Sequence, residues 1–131
     1  MKVKDLMLPI KQFPVVDPKT ILKEALVDMG EKNIGLICVV DDQNKLIGLF
    51  TDGDIRRMLL KNQKPFSSFF IDDVIIHANL NPLTVKPDAS IKDAIKLMGE
   101  REIWDLPVVD DKGTLKGLLH LHNAISKFIE N

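Results

Sequence analysis

Apolar residues recur along this chain with two different spacings. In residues 22–29 and 91–98 they fall at positions i, i+3, i+4 and i+7, which predicts two helices with one buried face each. Gly30 and Gly99 follow directly, and glycine is common just past the end of a helix. We therefore expect both helices to stop at these glycines.

Each predicted helix is followed by a hairpin and then by a second helix. Short β-branched runs lead into turns rich in Asp, Asn and Gly, which is typical of hairpins. A short strand precedes each first helix and ends before Pro18 or Pro87, because proline cannot continue a strand ladder. The predicted hairpins are 37–50 and 106–119, with turns at 41–44 and 110–113, and the predicted closing helices are 52–61 and 122–130.

These two halves are copies of one sequence unit. Residues 15–57 align without a gap onto residues 84–126 at a constant offset of 69. Each copy reads as strand, helix, strand, strand, helix, which predicts a mixed α+β fold. Because a lone core is marginal below about 70 residues, we expect the two units to depend on each other.

The segment between the copies, 62–80, is more apolar than a solvated linker needs to be. It also contains an echo of the start of the chain, since residues 71–74 resemble 3–6. We expect the segment to pack across the two halves, and we place the domains at 1–61 and 81–131. Its apolar centre consists of Phe66, Phe69, Phe70, Val74, Ile75 and Ile76.

The amino-acid composition limits the kinds of binding partner and cellular compartment that we expect for this protein. Among 131 residues, 18 Lys and Arg face 19 Asp and Glu without a long run of one sign, so charge favours neither nucleic acid nor a membrane surface. The single Cys38 lies in an apolar run, which predicts a buried residue and fits a reducing compartment. No signal peptide or stretch of about 20 apolar residues is evident, so we expect a cytoplasmic protein.

The junction between the first hairpin and its closing helix carries the most suggestive polar residues. Thr51 and Asp54 have the spacing of a capping box, in which each side chain satisfies the other residue's backbone N–H. A helix N-terminus also attracts phosphate, and a carboxylate accepts hydrogen bonds from ribose hydroxyls. Arg56 or Arg57 could reach a ligand phosphate, or lie on a solvated helix face.

The second copy departs from this pattern. His120 stands at the position of Thr51, and Asn123 at that of Asp54. If His120 and His122 lay in one strand they would share a face, a spacing that zinc can use, and His77 would join only if the linker folds back. Because no carboxylate or cysteine is near them in sequence, we predict no metal site and instead hydrogen bonding to an anionic ligand. Trp104 is expected to fill the core rather than to stack on a base.

The string from Gly48 to Arg57, Gly-Leu-Phe-Thr-Asp-Gly-Asp-Ile-Arg-Arg, resembles the G-h-x-T-x-x-D signature of cystathionine-β-synthase-type (CBS) domains, where h is apolar. Thr51–Arg57 taken with Gly117–Asn123 is similar to the C-terminal CBS pair of bacterial arabinose-5-phosphate isomerases. In that family the pair follows a sugar-isomerase (SIS) domain. An alternative resemblance is to the CBS pair of some sugar nucleotidyltransferases.

The resemblance implies two CBS units packed as a pseudo-two-fold Bateman module, with ligand clefts and homodimer assembly. Implied ligands are AMP, ATP, S-adenosylmethionine or the nucleotide-sugar CMP-Kdo, and no cofactor is required. The expected ligand site contains Val15, Val16, Thr51, Asp52, Asp54, Arg56, Arg57, His120 and His122. We find no catalytic constellation and predict no enzyme activity for this chain alone. A structural or oligomerisation module without ligand is the alternative.

Overall fold

A computed structural model describes residues 1–130, so Asn131, the end of the predicted second domain, lies outside the described residues. The mixed α+β fold is confirmed. The helices are α1 Val3–Leu6, α2 Leu22–Lys32, α3 Asp52–Lys61, α4 Val74–His77, α5 Ile91–Arg101 and α6 Leu121–Glu130, with a 3-10 turn at Phe66–Phe69. The strands are β1 Val15–Val16, β2 Leu36–Val40, β3 Leu46–Thr51, β4 Asp105–Val109 and β5 Leu115–His120.

The chain forms two compact units that do not follow the order of the sequence copies. One unit is Phe13–Pro82, and the other joins Met1–Gln12 to the chain from Leu83 onward. The segment 62–80, predicted as a linker between domains, therefore belongs wholly to the first of these units. The start of the chain, in turn, belongs to the unit that contains the second sequence copy. Each copy is thus completed by the segment that precedes the other copy.

The unit Phe13–Pro82 is built on a three-stranded sheet in the order β1-β2-β3. β1 runs parallel to β2, and β2 runs antiparallel to β3. Asn79 lies beside Leu49 in β3, and their backbones exchange two hydrogen bonds of 2.8 and 2.9 Å. Helices α2 and α3 cover the sheet, and two residues of the predicted linker complete the core. The buried core is Leu22, Ala25, Met29, Ile37, Val39, Phe50, Met58, Phe69 and Val74.

The other unit repeats this plan around the hairpin of β4 and β5. Val85 pairs in parallel with Val108, and Leu8 pairs antiparallel with Leu118, so the start of the chain borders β5 as Asn79 borders β3. Two backbone hydrogen bonds of 2.8 and 3.1 Å join Leu8 and Leu118. The buried core is Val3, Leu6, Ile91, Ala94, Met98, Leu106, Val108, Leu119 and Ala124.

The predicted helix ends at the glycines are wrong. Gly30 and Gly99 lie inside α2 and α5, which continue for two residues beyond them. The helices end instead at Asn33 and Glu102, whose φ values of 54° and 55° are in the left-handed region. Their backbone N–H groups donate to the carbonyls of Met29 and Met98, so the left-handed cap is formed without glycine.

The segment after α3 is attached to its own unit by a polar cluster as well as by Phe69. The Lys64 ammonium and the His77 imidazole both lie within hydrogen-bonding distance of Asp72 Oδ2, at 2.9 and 2.8 Å. The hydrogen bond from Lys64, reinforced by His77, lowers the pKa of the Asp72 carboxyl below its usual 3.8. By contrast, Phe66 and Ile76 are exposed, so only part of the apolar linker is buried.

The predicted echo of the chain start is displaced by three residues. The counterpart of α1 is α4, which begins at Val74, whereas the sequence match paired Val3 with Ile71. Val3 N–H donates to the carbonyl of Ala89, and Val74 N–H donates to that of Thr20, the residue that aligns with Ala89. These hydrogen bonds show that α1 and α4 are equivalent, which the weak match of residues 71–74 to 3–6 did not show.

Candidate functional site

Thr51 and Asp54 form the predicted capping box at the start of α3. The Asp54 N–H donates to Thr51 Oγ1 at 3.3 Å, and Thr51 N–H donates to Asp54 Oδ2 at 2.9 Å. The Thr51 hydroxyl also lies 3.1 Å from the same Oδ2. Because β3 runs directly into α3 at this point, the box holds the carboxylate beside the first turn of the helix.

Arg57 completes this cluster, whereas Arg56 does not take part in it. Arg57 Nη2 donates to Asp54 Oδ1 at 2.9 Å. The Asp54 side chain is only 13% exposed, whereas the Arg57 side chain is 63% exposed. The Arg56 side chain is also exposed, on the same helix. The structure therefore joins Thr51, Asp54 and Arg57 into one polar group.

Asp52 belongs to a different feature at the start of the same helix. Its carboxylate lies over Gly35, where an added Cβ would stand 2.4 Å from Asp52 Oδ2. The Asp52 N–H donates to the Gly35 carbonyl at 3.2 Å. Together they border an open groove of about 330 Å³ between α2 and α3. The groove is otherwise lined by Leu26, Met29, Gly30, Asn33, Ile34 and Ile55.

Val15 and Val16 form β1 and are half-buried. Val15 pairs with Cys38, and Cys38 pairs with Leu49, so Val15 lies two strands away from β3 and two register positions from Thr51. The valines are therefore on the same sheet as Thr51 but are not its neighbours. Cys38 is fully buried in β2, as predicted.

The junction of the second copy contains a histidine–carboxylate pair. His120 Nδ1 lies 2.6 Å from Asp105 Oδ1. The pair arises because Asp105 is directly opposite His120 in the antiparallel register of β4 and β5, where the first copy has Leu36 opposite Thr51. Sequence reasoning missed Asp105. Asp105 could have been found by combining the repeat offset of 69 with the expected register of the hairpin, which places it opposite His120.

His120 and His122 do not share a strand, which agrees with the predicted closing helix at 122–130. β5 ends at His120, and His122 is the second residue of α6, although the two rings still pack edge to face with centroids 6.5 Å apart. Among residues 1–130, no cluster of three or more His, Cys, Asp or Glu side chains is arranged to hold a metal ion. Asn123, at the position of Asp54, has a buried Nδ2 without a hydrogen-bond partner.

Trp104 does not fill the core. Its side chain is 72% exposed, which contradicts the prediction from its size. Its backbone has a clear role, since its carbonyl accepts a hydrogen bond of 2.9 Å from the first residue of α6, Leu121. This bond matches the one between Asp52 and Gly35 and fixes the strand-to-helix junction in each copy. Within residues 1–130, no helix combines the length and the apolar character that crossing a bilayer requires.

Two copies of one β-α-β-β-α unit, each with a polar strand-to-helix junction, define a tandem-repeat α+β fold. The CBS domain family model matches residues 3–61 and 71–130. The chain belongs to the CBS domain family, as a tandem pair.

The chain is also similar, over nearly its whole length, to part of particular longer proteins. The chain is 32% identical over 130 residues to the arabinose 5-phosphate isomerase KdsD of Yersinia pestis, covering 95% of this chain and 37% of the relative. A KdsD protein of Pseudomonas aeruginosa is 34% identical over 126 residues, with 37% of its length covered. The chain thus spans little more than a third of the length of these relatives.

Among solved structures, the CBS-pair protein CBSX2 of Arabidopsis thaliana in complex with AMP is 31% identical, with a TM-score of 0.85. The match covers 98% of this chain and 96% of that one. Nearly every described element therefore has a counterpart in a CBS pair.

Proposed function

We propose that this chain is a regulatory CBS pair that binds a nucleotide at the start of α3. The observation that carries the proposal is the Thr51–Asp54 box, which holds a carboxylate and a hydroxyl at the N-terminus of a ten-residue helix. A helix N-terminus favours phosphate, and a carboxylate accepts from ribose hydroxyls. The same residue cluster therefore offers one complementary group for the phosphate and another for the ribose.

The adenosyl ligands AMP, ATP and S-adenosylmethionine are the first candidates. The crystal structure of CBSX2 contains AMP, and CBSX2 is similar to this chain over nearly its whole length. The CBS pair of the protein MJ0100, 25% identical with a TM-score of 0.75, was solved with 5′-methylthioadenosine and S-adenosylmethionine. The nucleotide-sugar CMP-Kdo is the second candidate, suggested by the similarity to KdsD isomerases.

Calorimetric titration of the chain with AMP, ATP, S-adenosylmethionine and CMP-Kdo tests the proposal. Thr51→Ala/Asp54→Ala should abolish the heat of binding seen for wild type. Ser90→Ala/Asp93→Ala is the matched control, because Ser90 caps α5 by the same contact, accepting from Asp93 N–H at 3.4 Å. Heat from none of the four ligands with wild type would refute the nucleotide-binding function and favour a structural module.

We also propose that the pair regulates an attached enzyme, and that this enzyme is an arabinose-5-phosphate isomerase with an SIS domain. The similarity to KdsD proteins over 95% of this chain supports this choice over a sugar nucleotidyltransferase. Regulation requires the ligand to bind one state of the whole protein more tightly than another. In the full-length protein, the binding nucleotide should change isomerase activity, and Thr51→Ala/Asp54→Ala should remove that change. The isolated chain should have no isomerase activity.

Homodimer assembly is a further part of the proposal. Ile125, Phe128 and Ile129 form an exposed apolar stripe on α6, with spacings of three and four residues that place them on one face. A second copy that covers this stripe would remove it from water. Light scattering should then give about twice the 14.8 kDa of one chain, and Phe128→Glu should reduce that mass. A strict monomer at tens of micromolar would contradict the dimer.

A further inference from the structure

The hydrogen bonds of Asp54 leave no oxygen of its carboxylate unused. Oδ2 accepts from the Thr51 backbone N–H and lies within reach of the Thr51 hydroxyl. Oδ1 accepts from Arg57. Each oxygen can accept a second hydrogen bond, but the Asp54 side chain is only 13% exposed, so a ribose hydroxyl that approaches it has to displace a group that covers it.

The contact to Arg57 is the one that yields most easily. The two bonds to Thr51 are part of the helix cap, so breaking them disrupts the start of α3. The Arg57 side chain is 63% exposed and belongs to a residue one turn further along the helix. Ion pairs of such exposure add little to stability, so the guanidinium leaves Oδ1 at a small cost.

The position of the guanidinium is also determined by Gly53. A Cβ added at Gly53 would lie 3.0 Å from Arg57 Nη2 and 3.3 Å from Nη1. The guanidinium therefore lies against the first turn of α3, at the helix end whose dipole favours a phosphate. Once the Arg57 guanidinium leaves Asp54, rotation about the bonds of its own side chain is enough to bring it to a phosphate at this end of the helix.

We propose that Arg57 is a specificity-determining residue that exchanges partners when a nucleotide binds. In the empty site it occupies Asp54 Oδ1 and competes with ribose. In the bound site the ribose hydroxyl takes Oδ1, and the guanidinium pairs with the phosphate of the same ligand. The exchange favours a nucleotide over the nucleoside, because only the nucleotide supplies a new partner for the displaced arginine. This inference rests on the proposed nucleotide-binding function.

The test compares a nucleotide with its nucleoside: AMP with adenosine, and CMP with cytidine. In Arg57→Gln, adenosine should bind about two- to fivefold more tightly, because a competitor for Asp54 is gone. AMP should bind about tenfold more weakly, because a charge-assisted bond to phosphate is lost. Lys61→Gln, at the exposed end of the same helix, removes the same charge and is the matched control. It should leave the ratio of AMP to adenosine affinity within about twofold of wild type.

Opposite changes for nucleotide and nucleoside would support the exchange. Equal weakening of both ligands, or no change in either, would overturn it and leave the proposed function intact. A change in Lys61→Gln that equals the change in Arg57→Gln would also overturn it, since the effect would then come from net charge. If wild type binds neither nucleotide, the proposed function fails and the exchange fails with it.

Discussion

Gly117 lies where the start of the chain crosses β5, and its replacement by alanine provides a quantitative test of the packing. An added Cβ would stand 2.7 Å from the Leu8 carbonyl oxygen and 2.6 Å from Met7 Sδ. The sulfur can move, but the carbonyl belongs to the backbone that pairs with Leu118. The first segment of the chain would therefore have to move away from β5.

The expected cost follows from these contacts. Overpacking a buried site costs about 1–3 kcal/mol, and the two backbone hydrogen bonds between Leu8 and Leu118 are worth about 0.5–1.5 kcal/mol each. We expect Gly117→Ala to lower the free energy of unfolding by about 2–4 kcal/mol, since part of each contribution is recovered by relaxation. Urea denaturation followed by circular dichroism measures this change.

The sequence repeat supplies matched controls. At Gly48, the equivalent position, the nearest atom to an added Cβ is Ile75 Cδ1 at 2.8 Å, the end of a flexible side chain, and the nearest backbone oxygen is 3.7 Å away. Gly48→Ala should therefore cost about 1 kcal/mol or less. Gly99 lies inside α5, and apart from its chain neighbours and the backbone of its own helix no atom lies within 4 Å of an added Cβ, so Gly99→Ala should stabilise the protein by about 0.5–1 kcal/mol. If Gly117→Ala costs no more than Gly48→Ala, the close approach of Leu8 to β5 is refuted.

Three further outcomes are expected. Glu102→Gly should stabilise the protein by about 0.5–1 kcal/mol in thermal unfolding, because Glu102 occupies a left-handed conformation that glycine adopts without strain; destabilisation would contradict that cap. The hydrogen bond from Lys64, the main cause of the lowered Asp72 pKa, stabilises the fold above pH 3.8, and this contribution is lost as the pH falls through the folded-state pKa. Asp72→Asn should therefore reduce the acid dependence of stability, and an unchanged pH profile would refute this. The Cys38 thiol should react with a water-soluble disulfide reagent only after unfolding, and rapid reaction in native buffer would refute its burial.

Features that depend only on residues close together in the sequence, such as the capping box and the hairpin turn, could be predicted from residue type and spacing. Thr51 and Asp54 are three positions apart, so a capping box could be inferred from spacing alone, and the observed bonds match it. The hairpin turn at Asp41 was predictable for the same reason, since Asp41 Oδ1 accepts from the backbone of Gln43 and Lys45. Interactions of this kind need no knowledge of the rest of the fold.

Features that depend on tertiary placement were missed or misjudged. The pair of His120 and Asp105 requires the register of two strands, and the two residues are 15 positions apart in sequence. The exposure of Trp104 depends on what packs above it, which residue type does not reveal. The helices passed through Gly30 and Gly99 because the alternative cap at Asn33 and Glu102 outweighed the modest cost of glycine within a helix.

The exchange of segments between the two copies has a consequence for synthesis on the ribosome. The unit Phe13–Pro82 is continuous, so all of its strands and helices have been translated before the second copy begins. Met1–Gln12 is translated before this unit, yet its partners in β5 and α5 are translated after it. Because domains generally fold as units during translation, the middle of the chain should fold first. Met1–Gln12 then remains without its partner strand until β5 has been translated.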